Sequence, residues 1–221
     1  GLPYQKGFGG HFHNDNSLAV LTDIPGIVVA CPSNAADAPA MLRECVRMAH
    51  EDGKVVVFVE PIALYHTADL LEANDGAWTA PYVAPADAQP IGFGELHQHG
   101  SGSQLAIITY GNGYFLSRQA EAEIRAAGID LRIIDLRWLH PLNDAAIVEV
   151  VADCENILIV DESRRTGSLS EKLMTILAEA GRGDSTHRIT AEDCFIPLGP
   201  AAELILPSRE SIIAAAKAAV A

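Results

Sequence analysis

The segment Gly7–Ser17, GFGGHFHNDNS, holds the densest set of chemistry-bearing residues in the chain. Its glycines permit unusual dihedrals and let backbone approach a ligand closely. If the segment after Gly10 is extended, His11 and His13 share a face, with Asp15 next in phase. A His-x-His pair with a nearby carboxylate can ligate a metal, but no third ligand follows at an informative spacing, so no metal is expected. A neutral imidazole in a cleft can instead donate or accept a proton near pH 7. The same residues would carry no chemistry in an ordinary polar loop.

Glu60 ends the apolar run VVVFV and precedes Pro61. A carboxylate there lies where α/β sheets bind ligands, or it caps the next turn. His97 and His99 form a second His-x-His pair, expected in a linker or edge strand with solvent-exposed side chains. TYGNGYF (109–115) joins a strand to a helix and suggests phosphate binding, although the full G-x-G-x-x-G pattern is missing. DLRWLHP (135–141) and DESRRTGS (161–168) each close a strand at the same end of a sheet. Their charges could form an anion site, a subunit contact or a solvated rim.

The elements that must position these residues alternate in rhythm. The runs IVVAC (27–31), VVVFV (55–59), LAIIT (105–109), LRIIDL (131–136) and ILIV (157–160) read as strands buried on both faces. Helical period marks 37–50, 115–127, 143–152 and 169–180, with Asn143 and Ser168 as N-caps. This alternation predicts an α/β fold with a mainly parallel sheet and helices on both sides. Residues 66–104 show no such element and read as a connection between two units. The first unit, with two strands and one helix, is too small to cover both faces of its own sheet. The second holds a full alternating set, and the Ala-rich tail AAAKAAVA reads as a surface helix.

The 221 residues are 49% hydrophobic and 20% charged, which fits a globular protein and excludes a disordered one. A net charge of -14 argues against nucleic-acid and anionic-membrane partners. No apolar stretch is long enough to span a bilayer, and the N-terminus lacks a signal-peptide core. Without an initiator Met, a fragment or processed chain is expected. Cys31, Cys45, Cys154 and Cys194 match no metal or redox spacing and read as buried reduced thiols of a cytoplasmic protein.

GGHFHNDNS, DIPGIVVACPSNAADAPAMLRECV and VVVFVEPIALY, taken in order, resemble the second half of the pyrimidine-binding domain of thiamine diphosphate enzymes. PIGFGEL, LAIITYGN, IDLRWLHPLN and ILIVDESRRTGS resemble the transketolase-type C-terminal domain that follows it. The nearest pattern is the beta subunit, or fused beta part, of 2-oxo acid dehydrogenase decarboxylase components of the pyruvate or branched-chain type. The resemblance implies an α/β three-layer sandwich with mainly parallel sheets. It divides the chain into a partial pyrimidine-binding domain (1–72), a linker (73–89) and a transketolase C-terminal domain (90–221).

The resemblance also implies that His13 is the catalytic residue, matching the histidine of Gly-x-x-x-His-Ser-Gln-Ser, although Asn14, Asp15 and Asn16 replace Ser-Gln-Ser. In the family that histidine faces the reactive thiazolium carbon and assists acyl transfer to lipoate. The family's ylide-promoting glutamate and its Gly-Asp-Gly diphosphate motif have no counterpart here. Thiamine diphosphate and magnesium are therefore expected to bind mainly through parts absent from this chain. RMAHEDGK (47–54) is longer than the family's potassium loop and differently composed, which puts a potassium site in doubt. Implied partners are an alpha subunit or fused alpha-like domain, a lipoyl acyltransferase component and further copies of the chain. Two other readings stand beside this one: a transketolase or deoxyxylulose-phosphate synthase relative acting on sugar phosphates, and a catalytically silent assembly module.

Overall fold

A computed structural model describes residues 17–221. Its strands are β1 (Ile27–Ala30), β2 (Val55–Phe58), β3 (His97–His99), β4 (Leu105–Thr109), β5 (Leu131–Asp135), β6 (Trp138–His140), β7 (Asn156–Arg164) and β8 (Thr186–Ala191). Its helices are α1 (Leu18–Thr22), α2 (Asp37–Glu51), α3 (Gly111–Ala126), α4 (Asp144–Val150), α5 (Leu169–Glu179) and α6 (Arg209–Ala219).

The larger sheet runs β3-β5-β4-β7-β8, parallel except for the antiparallel edge strand β3. Successive side chains on a strand point to opposite faces, so a continuous apolar run feeds two cores at once. Leu105, Ile107, Leu131, Ile133, Leu158 and Val160 pack toward α3 and α6. Ala106, Ile108, Ile134, Ile157 and Ile159 pack toward α4 and α5. The result is the expected three-layer sandwich. The tail helix α6 is not a surface helix, because Ile212, Ile213, Ala216 and Ala219 form its buried stripe.

The smaller sheet has the order β2-β1-β6. β1 and β2 are parallel, and β6 joins antiparallel to β1 from far along the chain. β6 thus widens the first unit's sheet to three strands. Val28 and Ala30 face α2 and pack with Met41, Cys45, Met48 and Trp138. Val29 and Cys31, on the opposite face, enter the core of the larger sheet. The two units therefore share a hydrophobic core rather than touching across a solvated gap.

The connection 66–104 contains β3 and otherwise only turns. Asp75 accepts backbone N–H bonds from Leu70, Leu71, Glu72 and Ala77 at 2.7–2.9 Å. Asp69 accepts from Asn74 and Gly76 at 2.8 and 2.9 Å. Trp78 then seats against Tyr114 and Phe115, with ring centroids 5.8 and 5.0 Å away. Side-chain-to-backbone bonds and one aromatic anchor thus order a stretch that has no periodicity. Among the cysteines, Cys31, Cys45 and Cys154 are buried as expected, whereas Cys194 is exposed.

Helix α3 begins four residues earlier than its apolar stripe predicts. Gly111 adopts φ 55°, a left-handed conformation that favours glycine. A Cβ on Gly113 would stand 2.2 Å from Thr109 Oγ1 and 3.4 Å from the Val160 carbonyl oxygen. Glycine at 113 is therefore what lets the first turn of α3 lie against β4 and β7. Gly113→Ala should lower unfolding free energy by about 1–3 kcal/mol through overpacking, measured by denaturant titration.

Candidate functional site

Parallel strands deliver their carboxyl ends to one edge, where α/β sheets present chemistry. Here β4, β5 and β7 bring Tyr110, Asp135, Asp161 and Glu162 to that edge. The segment after β1 brings Ser33, Asn34 and Asp37 against them. Ser33 Oγ donates to Asp135 Oδ1 at 2.8 Å and accepts from Gly111 N at 2.7 Å. Arg137, at φ 58°, clamps Asp37 with Nε to Oδ2 at 2.8 Å and Nη2 to Oδ1 at 2.9 Å. Asn34 Nδ2 also donates to Asp37 Oδ2 at 3.0 Å.

Asp37 and Arg137 neutralise one another, which leaves Asp135 as the excess carboxyl. It is fully buried, and Oδ2 has no hydrogen-bond partner among the described residues. Burial, opposed by the Ser33 bond and reinforced by Asp37, pushes its pKa up to about 7. Beside it, Asp161 accepts from Tyr110 Oη at 2.6 Å and from the amides of Ser163 and Ser170 at 2.8 Å. Glu162 accepts from Asn112 Nδ2 at 3.0 Å. Burial pushes Glu162 up to about 8, against that bond.

A cleft of about 520 Å³ opens at the carboxyl ends of β1 and β2. Ser33, Asn34, Glu60, Tyr65, His66 and Trp78 contribute to its lining. The Glu60 carboxylate beside the Tyr65 hydroxyl raises the phenol's pKa. The lining offers one carboxylate acceptor in an otherwise largely apolar wall, suited to a small ligand.

His11, His13, Asn14, Asp15 and Asn16 lie outside the described residues. Glu60 sits in the cleft, as its strand-end position suggests. His97 and His99 occupy edge strand β3 but are half-buried, not solvent-exposed. His99 Nε2 lies 2.9 Å from Glu121 Oε2, and His97 packs edge-on to Tyr114. The glycine turn of TYGNGYF is closed by Ser33 on the Gly111 amide, which leaves that N–H no phosphate to hold. DESRRTGS is a solvated rim only in part: β7 runs on to Arg164 with Asp161 and Glu162 buried within it, while Arg165, Thr166 and Gly167 are exposed. Ser33, Asp37 and Tyr65 were not singled out by sequence. Their partners lie 102 residues away for Ser33 and 100 for Asp37, so only tertiary structure reveals them.

The sequence model of the family described as "Transketolase, C-terminal domain" matches residues 94–212. The chain belongs to that family. It is similar to the acetoin:2,6-dichlorophenolindophenol oxidoreductase subunit beta of Cupriavidus necator, with 28% identity over 93% of this chain and 57% of the relative. It is similar to the 2-oxoisovalerate dehydrogenase subunit beta of Bacillus subtilis, with 28% identity over 80% of this chain and 50% of the relative. It is also similar to the pyruvate dehydrogenase E1 component subunit beta of Staphylococcus aureus, with 27% identity over 95% of this chain and 62% of the relative. The chain thus spans roughly half to three-fifths of these relatives' length. Among solved structures, one titled "Split gene transketolase, inactive beta4 tetramer" superposes with a TM-score of 0.72 at 19% identity, covering 96% of this chain and 64% of that one. That likeness shows the fold.

The buried excess carboxyl gives a signed pH dependence. Asp135 has a folded pKa of about 7 against an ordinary carboxylate value of 3.8, so its protonated form favours the folded state. That contribution is fully present below the unfolded value and is lost as pH rises toward 7. In Asp135→Asn, the fall in unfolding free energy between pH 4 and 7 should be shallower than in the unsubstituted chain. Denaturant midpoints measured across that range check it. Parallel profiles would show that Asp135 is ionised throughout.

Proposed function

We propose that the chain is the C-terminal portion of a beta subunit, or of a fused alpha–beta polypeptide, of a thiamine diphosphate-dependent 2-oxo acid dehydrogenase. The complete enzyme carries out oxidative decarboxylation of a 2-oxo acid with acyl transfer to lipoyl groups. The observation that carries this reading is similarity along 80–95% of the chain to beta subunits named for pyruvate, 2-oxoisovalerate and acetoin oxidation. It favours the dehydrogenase reading over the sugar-phosphate one. The domain division at 1–72, 73–89 and 90–221 belongs to the same proposal, supported by a family match that starts at residue 94.

The described residues do not fit the cofactor's diphosphate or its metal. Among them no group of three His, Cys, Asp or Glu side chains could hold an ion. The glycine turn at the start of α3 is taken by Ser33. Thiamine diphosphate and magnesium are therefore assigned to the rest of the enzyme. This chain is proposed to supply His13, whose imidazole can hold or return a proton and donate to developing negative charge.

The partners proposed are an alpha subunit or fused alpha-like domain, a lipoyl acyltransferase component and a second copy of the chain. A cytoplasmic location is proposed with them. No described helix is long and apolar enough to cross a membrane.

Two outcomes test the assignment. The 221-residue chain alone, supplied with thiamine diphosphate and magnesium, should not decarboxylate pyruvate or branched-chain 2-oxo acids. In the complete enzyme, His13→Ala should lower turnover at least about 100-fold, the lower end for a general acid–base group. His11→Ala should cost only a few-fold, and cofactor affinity should change little in either variant. Steady-state kinetics with separate cofactor titrations decide it. A larger loss in His11→Ala would place the catalytic register two residues earlier.

A further inference from the structure

Of the buried and half-buried arginines in the second unit, Arg132, Arg137 and Arg182 are saturated. Arg137 grips Asp37. Arg132 holds Asp153 at 2.7 and 2.9 Å and the Gly102 carbonyl at 2.6 Å. Arg182 reaches the Val151 carbonyl at 2.9 Å and the Cys154 carbonyl as well. Arg118, on α3, is held less fully than these three. Its polar contacts among the described residues are Nη1 to Tyr114 Oη at 3.5 Å and Nε to Glu121 Oε2 at 3.4 Å. Neither is a short charge-assisted bond. Yet its side chain is only 23% exposed, and Nε is buried with no hydrogen-bond partner.

Arg118 lines a cavity of about 240 Å³ between the connection and edge strand β3. Asn34, Asp37, Trp78, His97 and Tyr114 line it with Arg118. We propose that this cavity is a binding site for a small oxyanion, a carboxylate or a phosphate, with the Arg118 guanidinium as its principal donor. The proposal goes beyond the dehydrogenase reading and does not depend on it. At about 30 Å³ per water in the liquid, the volume admits several waters or one compact anion.

Local charge favours an anion over a cation. Glu121 is the carboxylate nearest Arg118, but it is also held by Arg125 Nε at 3.0 Å and faces His99 Nε2 at 2.9 Å. One carboxylate is thus shared by two guanidiniums. Asp37, the other acid in the lining, is neutralised by Arg137 in a two-pronged pair. Tyr114 accepts from Arg118, and its own proton has no acceptor among the described residues. Burial raises its pKa, so the hydroxyl stays protonated and can donate.

His97 makes occupancy pH-dependent. Its ring packs against Tyr114 at 6.2 Å. It faces Arg137, Asp37, His99 and Arg118, and burial first, then Arg137, hold its pKa below the ordinary value. It is neutral at pH 7 without ligand. A bound anion favours the imidazolium, so affinity rises on acidification below neutral pH.

Isothermal titration of the 221-residue chain at low ionic strength, with inorganic phosphate and separately with acetate, tests the site. Binding of either anion, weakened at least about 10-fold in Arg118→Gln, is expected for loss of a charge-assisted donor. The two titrations distinguish phosphate from carboxylate as the source. Arg118→Lys, which keeps the charge, should lose less. His97→Gln should lose the gain in affinity on acidification that the unsubstituted chain shows. Thermal melts identify a variant that fails to fold, in which case Tyr114→Phe, expected to weaken binding a few-fold, carries the test. Absence of binding by the unsubstituted chain up to about 10 mM, below any useful affinity, would overturn the proposal. So would equal affinity in Arg118→Gln.

Discussion

The buried clamp between Asp37 and Arg137 is the interaction on which the rest of the arrangement depends. Asp37 opens α2 in the first unit, and Arg137 sits between β5 and β6 in the second. The left-handed turn at Arg137 redirects the chain out of the large sheet, and the next residue, Trp138, begins the strand that completes the small one. One ion pair therefore holds the position of α2, the path into β6 and the orientation of both sheets. Its net contribution to stability is small, because two charges must leave water to form it. Removing one partner would cost about 3–5 kcal/mol, because the other charge is left buried alone. Such a pair penalises every alternative docking of the two units more than it rewards the native one.

The larger sheet was legible from pattern, because burial on both faces leaves continuous β-branched runs that no surface element shares. β4, β5 and the first half of β7 follow the apolar runs closely, as do helices α2 and α5. Asn143 caps α4 as its residue type suggests, accepting from the Ala146 amide at 3.2 Å. Ser168 precedes α5 but makes no such cap, and its hydroxyl pairs with Ser170 instead. Of the three-residue strands, β3 was legible only as one of two alternatives and β6 was not legible. Each is too short for a period, and each exists because a longer strand offers it a register.

The candidate site was legible only where chemistry coincided with a strand end. Glu60 announced itself by following VVVFV. Asp37 did not, because an acid in the first turn of a helix ordinarily answers the helix dipole in solvent. Asp161 and Glu162 read as an anion site, a subunit contact or rim charges because the apolar run stops at Val160. In the structure the strand continues, and buried donors from Tyr110, Asn112 and two backbone amides meet the carboxylates. A polar residue that is internally satisfied looks in sequence like one that faces water.

That distinction bears on how a shared fold comes to serve different chemistry. A glycine turn at the start of a helix, at the carboxyl edge of a parallel sheet, is a ready anion site in many α/β proteins. Here the same turn docks Ser33 from the first unit, and the amide that could hold a phosphate holds a hydroxyl. The domain's most ligand-ready feature is spent on joining two units. The Glu60 cleft stays open at the ends of β1 and β2, and these are placed by that same joint. The Glu60 cleft therefore belongs to the first unit's strand ends, while the C-terminal domain fixes where those ends point.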